Sequence, residues 1–127
     1  MPNTIITGSG SYVPETIVSN RHFMANEFYT PEGVRIQKTN AEIIEKFSDI
    51  TCINERRYVS EQLNTSDIAF MAAEAALEGV DRESLDAIIV GQNLGDVDAD
   101  NCRTDMVPSI AARVKHHLRI SNPYTVA

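Results

Sequence analysis

Thr4-Ile5-Ile6-Thr7-Gly8-Ser9-Gly10-Ser11-Tyr12-Val13-Pro14 is the stretch on which the reading of the fold turns. Its first four side chains are all β-branched and suit a pleated, buried strand. Gly8 and Gly10 let the backbone turn or approach another chain closely, and Pro14 forbids an immediate helix. A short apolar strand here, followed by alternating helices and strands, predicts a place in the middle of an α/β sheet.

Outward from that stretch, residues 15–19 read as an extended loop, and Asn20 is a good N-cap for a short helix to about Glu27. Residues 28–38 carry Pro31 and Gly33 and read as a loop or insertion. Thr39 and Glu42 form a capping box for a helix whose apolar positions are Ile43, Ile44 and Phe47. Residues 50–59 look extended, and the polar run Asn54-Glu55-Arg56-Arg57 makes them an exposed or edge strand. Thr65 or Ser66 caps the next helix, in which Ile68, Met71, Ala72, Ala75 and Ala76 recur at helical spacing before Gly79 stops it. Its alanines imply close packing against a sheet.

Residues 81–85 read as a turn or short helix, and residues 86–92 as an apolar strand covered on both faces. A polar loop over residues 93–105 precedes another helix, with Pro108 in its first turn and Thr104 or Asp105 as its cap. Val107, Ile110, Ala111, Val114 and Leu118 would make its apolar stripe. Lys115, His116, His117 and Arg119 crowd its far end, where positive charge complements the helix dipole. Residues 123–127 begin a third core strand. The sum is a β-α-β-α-β core, in which right-handed crossovers put the helices on the sheet's faces.

The totals bound what such a chain does. Its 127 residues make one domain or part of one, and 43% hydrophobic content suits a packed core rather than disorder. Eleven basic against 18 acidic residues give a net charge of −7, which disfavours nucleic acid and anionic membranes as partners. No apolar run approaches the roughly 18 residues that span a bilayer. The start, Met-Pro-Asn-Thr, lacks the pattern of a signal peptide, so a cytoplasmic protein is expected. Cys52 and Cys102 are then most simply free thiols.

Several constellations invite chemistry, each with a plainer alternative. Gly8-Ser9-Gly10 resembles the start of a dinucleotide fingerprint, but Val13 replaces the third glycine and Pro14 blocks the helix that would receive a pyrophosphate. A tight turn after a central strand is the better reading. Asp96, Asp98 and Asp100 have the alternation of a calcium loop, yet Asn101 and Val107 stand where glycine and glutamate belong. A polar loop explains them. His116 and His117 point about 100° apart on a helix and cannot share a metal as an i, i+4 pair does. Both cysteines lie near acidic residues, which would raise their pKa and weaken them as nucleophiles. No catalytic residue emerges, and no cofactor or metal is implied.

The order of motifs nevertheless resembles the N-terminal part of a β-ketoacyl-acyl carrier protein synthase III, a condensing enzyme of the thiolase superfamily. The resemblance rests on Ile5 through Glu15 with Asn20, on Thr51-Cys52-Ile53-Asn54-Glu55-Arg56-Arg57, on the alanine-rich helix, on residues 86–92, and on Pro108-Ser109-Ile110-Ala111-Ala112. It implies an α/β, thiolase-like fold, present here as a partial N-terminal half with an incomplete mixed sheet. Residues 1–127 would form that incomplete domain, with a loop and helix insertion at about 21–49. The resemblance also implies a homodimer that loads an acyl group from acyl-CoA onto a cysteine and condenses it with malonyl-acyl carrier protein. That cysteine follows the strand beginning at Tyr124, so the chain would end before it and the fragment alone would be inactive.

Site residues carry over one by one. The family's adenine-stacking tryptophan falls at about Lys46, a neighbouring arginine at about Ile50, and the adjacent threonine is kept as Thr51. Lys46 and Thr51 would therefore border the coenzyme A region, with a longer or differently held acyl donor. Cys52 stands where a glycine is expected. Val107 takes the place of a side chain that crosses the dimer interface into the partner's acyl pocket, and its small size implies a roomier pocket. The alternative from another class is a free-standing, non-catalytic α/β module that binds a protein partner.

Overall fold

The computed structural model describes residues 3–127, with the backbone alone at Cys102, so the expected thiol there lies outside the described residues. The chain divides into two compact units, Pro14–Val59 and the combination of Met1–Val13 with Ser60–Ala127. The segment 21–49, expected as an insertion, falls within the first of these.

In the Pro14–Val59 unit, strand β1 (Thr16–Ser19) leads directly into a 3-10 helix at Asn20–Ala25. Helix α1 (Asn40–Thr51) follows, and then strand β2 (Glu55–Tyr58), antiparallel to β1 with Val18 opposite Arg56. Val18 is the buried residue of β1. Helix α1 starts where the sequence says it should. Thr39 Oγ1 accepts from the Glu42 amide at 3.3 Å, and the Glu42 carboxylate accepts from the Thr39 amide at 2.9 Å. The Glu42 carboxyl is held below its usual range, chiefly by the Thr39 hydroxyl. The helix ends at Cys52, whose φ of 55° is left-handed and whose amide closes on the Ser48 carbonyl at 2.7 Å. Asn40 ties the two helices of the unit together, donating to the carbonyls of Met24 and Asn26 at 2.7 and 2.8 Å. Ile43 is the buried anchor of α1, worth about 1.5–3 kcal/mol.

The other unit is built on helix α2 (Thr65–Ala76), the hairpin of β3 (Asp96–Asp98) and β4 (Asn101–Asp105), and helix α3 (Ile110–His117). Ile110, Val114, Leu118 and Ile120 form its buried cluster, with Ala69, Phe70, Ala73 and Leu77 packed against it from the side of α2. The alanine helix, expected to pack on a sheet, thus packs chiefly on α3, and Leu85, Ile88 and Val90 pack against the same cluster. Gly8 and Gly10 lie directly on α2, where an added Cβ would run into the carbonyls of Ala76 and Ala72 respectively. Glycine at these positions allows the close approach predicted for it.

One parallel pairing joins Ala87 to Val126, with Ile88 donating to Val126 at 2.9 Å and Val126 donating to Asp86 at 3.0 Å. Because α3 lies between those partners in sequence, this is a parallel βαβ connection. Three supports hold the second partner in place. Glu83 accepts from the amides of Ser121 and Asn122 at 2.8 and 2.6 Å, Lys115 donates to the carbonyls of Asn122 and Thr125, and Thr125 Oγ1 donates to the Leu85 carbonyl.

Several expectations are corrected by the structure. Residues 4–7 are not a strand: Ile5 and Ile6 are 76% and 91% exposed, and no strand pairs with them among the described residues. A β-branched run becomes a strand only when another backbone satisfies its amides and carbonyls. For the same reason residues 86–92 and 123–127 contribute a single bridge rather than full strands. The polar loop at 93–105 folds as the β3–β4 hairpin. Asn64 rather than Thr65 or Ser66 caps α2, Ser109 rather than Thr104 or Asp105 caps α3, and Val107 lies outside the apolar stripe. Ser19 is the cap of the 3-10 helix, and Asn20 is its first residue.

Candidate functional site

Two concavities gather polar side chains, one in each unit. In the Pro14–Val59 unit a cavity of about 220 Å³ opens between the 3-10 helix, α1 and β2. Its walls are Phe23, Phe28, Ile44, Phe47 and Ile53, with Arg56 supplying charge. The rings of Phe28 and Phe47 meet edge to face at 5.9 Å, a favoured aromatic geometry. Asn20 builds the polar edge. Its amide donates to the Asn54 carbonyl at 3.0 Å, and its Nδ2 donates to the Ile53 carbonyl at 2.8 Å. Its Oδ1 then accepts from Arg56 Nη2 at 3.0 Å. The Arg56 guanidinium lies 4.9 Å from the centroid of the Phe23 ring, a cation–π contact, while Nη1 is buried without a hydrogen-bond partner.

The cleft of the other unit, about 530 Å³, is lined by Ser66, Asp67, Asp96, Arg113, His116 and His117 among others. Asp96 is buried and accepts from both the amide and the hydroxyl of Ser66 at 2.8 Å. Arg113 meets it through Nη1 at 3.2 Å and reaches Asp105 through Nη2 at 2.7 Å. The Asp105 carboxyl is held below its usual range by its hydrogen bond from Arg113, which is itself held above its ordinary value by Asp105. His117 Nε2 lies 3.6 Å from Asp67 Oδ1, and the other Asp67 oxygen accepts from the Asn64 amide at 2.8 Å.

This arrangement ties the hairpin to α2 and α3. The Ser66 hydroxyl donates to Asp96, whose carboxylate is also engaged by the Ser66 amide and by Arg113. The aspartates weighed as a calcium loop turn elsewhere, Asp96 to Ser66 and Arg113, and Asp98 to the Asn64 side chain at 2.9 Å. No group of three or more His, Cys, Asp or Glu residues is placed to hold a metal among the described residues. His116 and His117 have ring centroids 6.1 Å apart, in line with their divergence on the helix.

The residues singled out from the sequence fall as follows. Lys46 and Thr51 both stand exposed on the C-terminal half of α1. The Thr51 hydroxyl donates to the Phe47 carbonyl at 2.7 Å and accepts from the Ile53 amide at 3.2 Å, so it finishes the helix. Val107 belongs to the other unit and is 85% exposed just before Pro108. Cys52 is a free, exposed thiol. Sequence reasoning missed both the Asn20–Arg56 pair and the Asp96–Arg113 pair, whose partners lie 36 and 17 residues apart. The polar run ending in Arg56-Arg57 was the one available signal for the first; none pointed to the second. No described helix is long and apolar enough to cross a membrane.

No family model matches the chain. A β-ketoacyl-acyl carrier protein synthase III of Laribacter hongkongensis is 32% identical over 123 residues, covering 95% of this chain and 32% of the relative. One from Staphylococcus haemolyticus is 36% identical over 97 residues, covering 75% of this chain and 27% of the relative. Among solved structures, the synthase III of Thermus thermophilus superposes with a TM-score of 0.63 at 28% identity over 98% of this chain and 32% of that one. The 3-oxoacyl-acyl carrier protein synthase III of Pseudomonas aeruginosa gives 0.59 at 26% identity over 94% of this chain and 30% of that one. The chain spans about a third of the length of the relatives it matches. Over nearly all of its own length the chain is similar to β-ketoacyl-acyl carrier protein synthase III, and its fold is a partial form of that thiolase-like α/β architecture.

Proposed function

We propose that this chain is the N-terminal part of an acyltransferase of the synthase III type. The observation that carries the reading is the likeness over 123 residues, in sequence and in backbone, to condensing enzymes about three times as long. In the whole protein a cysteine thiolate attacks the thioester carbonyl of an acyl-CoA, forming the acyl-enzyme and releasing coenzyme A as its thiol. Malonyl-acyl carrier protein then loses carbon dioxide, and the resulting carbanion attacks the acyl-enzyme. A β-ketoacyl carrier protein leaves and the cysteine is freed. The nucleophile of such an enzyme follows the strand that begins at Tyr124, so neither Cys52 nor Cys102 takes that role in this reading.

Within this scheme the chain supplies binding and shape. Lys46 and Thr51 border the coenzyme A region, with the Lys46 ammonium available to the donor's phosphates where the family stacks an aromatic ring. Val107 reaches into the acyl pocket of a second subunit of a cytoplasmic homodimer, and its small side chain leaves that pocket roomy. The high exposure of Val107 agrees with such a role.

The test is to express the gene's whole reading frame and supply acyl-CoA with malonyl-acyl carrier protein. Carbon dioxide release and a β-ketoacyl product are expected from the full-length protein, and no turnover from residues 1–127 alone. Turnover by the 127-residue chain, or an inert full-length protein, would overturn the assignment. Replacing Val107 with phenylalanine in the full-length enzyme should shift preference toward short acyl donors.

A further inference from the structure

The cavity of the Pro14–Val59 unit has a composition that its surroundings do not explain. Three phenylalanines, Phe23, Phe28 and Phe47, wall a space of about 220 Å³. That exceeds the roughly 150 Å³ of an apolar cavity able to take up benzene. Inside this apolar wall stands one guanidinium. Arg56 makes no ion pair among the described residues, and its Nη1 is sealed from water with no acceptor. An unmatched buried donor is costly, and more so when it is charged. The neighbouring Nη2 is already fixed on Asn20, and Arg56 is the one charged residue that lines the cavity. The chain as a whole carries −7, which makes an unpaired cation in an aromatic pocket a local exception.

We propose that this cavity binds a small aromatic carboxylate, with its ring among Phe23, Phe28 and Phe47 and its carboxylate on Arg56. Ring contacts come from the phenylalanine faces and edges, and the carboxylate supplies both the missing acceptor and the missing charge. The other polar groups on the rim are spent. Asn20 bonds Ile53 and Arg56, and the Thr51 hydroxyl bonds Phe47 and Ile53. Selectivity for the anion therefore rests on Arg56. The inference does not depend on the acyltransferase reading, because the recognition elements are Arg56 and the three rings.

The experiment is a titration of the ¹⁵N-labelled 127-residue chain with phenylacetate, 2-phenylethanol and acetate, followed by amide chemical shifts. Phenylacetate should produce saturable shifts confined to the Phe23, Phe47, Ile53 and Arg56 region. The neutral alcohol of the same shape should bind at least tenfold more weakly, and acetate should not saturate. Arg56→Gln should abolish the preference for the acid over the alcohol. Equal binding of acid and alcohol, saturable shifts centred elsewhere, or no saturation by phenylacetate would each overturn the proposal. The comparison of ligands on the unaltered chain decides the matter even where the variant fails to fold.

Discussion

Arg113 serves three acceptors at once: Asp96, Asp105 and, through Nε, the Pro108 carbonyl at 3.1 Å. It thereby fastens the hairpin to α3. The pair with Asp105 has a defined pH signature. Arginine stays protonated throughout, whereas the Asp105 carboxyl has its folded value pulled below the ordinary 3.8. A carboxyl depressed on folding adds stability above its unfolded value and loses it as pH falls through the folded one. The Tm difference between the natural chain and Asp105→Asn should therefore be full near neutrality and shrink as pH drops below 3.8. A difference that persists at the lowest pH would show that the carboxylate's charge is not what stabilises the hairpin. Gly10 makes a second prediction at this scale. Gly10→Ala places a methyl against the Ala72 carbonyl, and overpacking of this kind costs about 1–3 kcal/mol. Urea unfolding would read it. Glycine at Gly8 and Gly10 was legible only as a choice between a turn and a close approach, and the α2 backbone decides for the approach. Arg113 was not, because nothing in the spacing of Asp96, Asp105 and Arg113 reveals that a hairpin folds back onto a helix.

Among the elements, helices were easier to read than strands for a physical reason. A helix satisfies its own backbone locally, so the Thr39 and Glu42 pair is sufficient to mark where α1 begins, and the reciprocal bonds are both present. Thr39→Ala should cost about 1 kcal/mol, measured by urea unfolding together with faster amide exchange in the first turn of α1. Unchanged exchange there would mean that packing around Ile43 holds the turn without its cap. A strand depends on a partner that local sequence does not name. Residues 4–7 carry the side chains of a strand but have no strand partner among the described residues, whereas Asp96–Asp98 and Asn101–Asp105, polar but for Val97 and Cys102, pair with each other across a short turn. Composition favoured the first and geometry chose the second. The candidate site divides in the same way: Lys46, Thr51 and Val107 came from a family resemblance, while the aromatic cavity with Arg56 required the folded unit.

At the scale of the molecule, the similarity to synthase III extends over nearly the whole chain, yet the unit containing α2 and α3 leaves large apolar side chains outside its core. Ile5, Ile6, Ile89 and Val126 are all more than two-thirds exposed, and Ile89 reaches 93%. Each belongs to a segment expected to be a core strand, and residues 4–7 have no strand partner among the described residues. Exposed apolar side chains beside an open strand edge form a template for pairing with another chain. The 127-residue chain should therefore self-associate, with a weight-average mass in sedimentation equilibrium that rises with concentration. Ile6→Lys combined with Ile89→Lys should return it toward the monomer without unfolding the α2–α3 core, since neither side chain contributes to the cluster around Val114. The far-ultraviolet circular dichroism of that variant would report whether the core survives. A clean monomer from the unaltered chain at high concentration would show that these segments cover themselves in solution. An oligomer unaffected by the double substitution would place the contact on another surface, with the exposed turn at Met106 and Val107 as the next position to test.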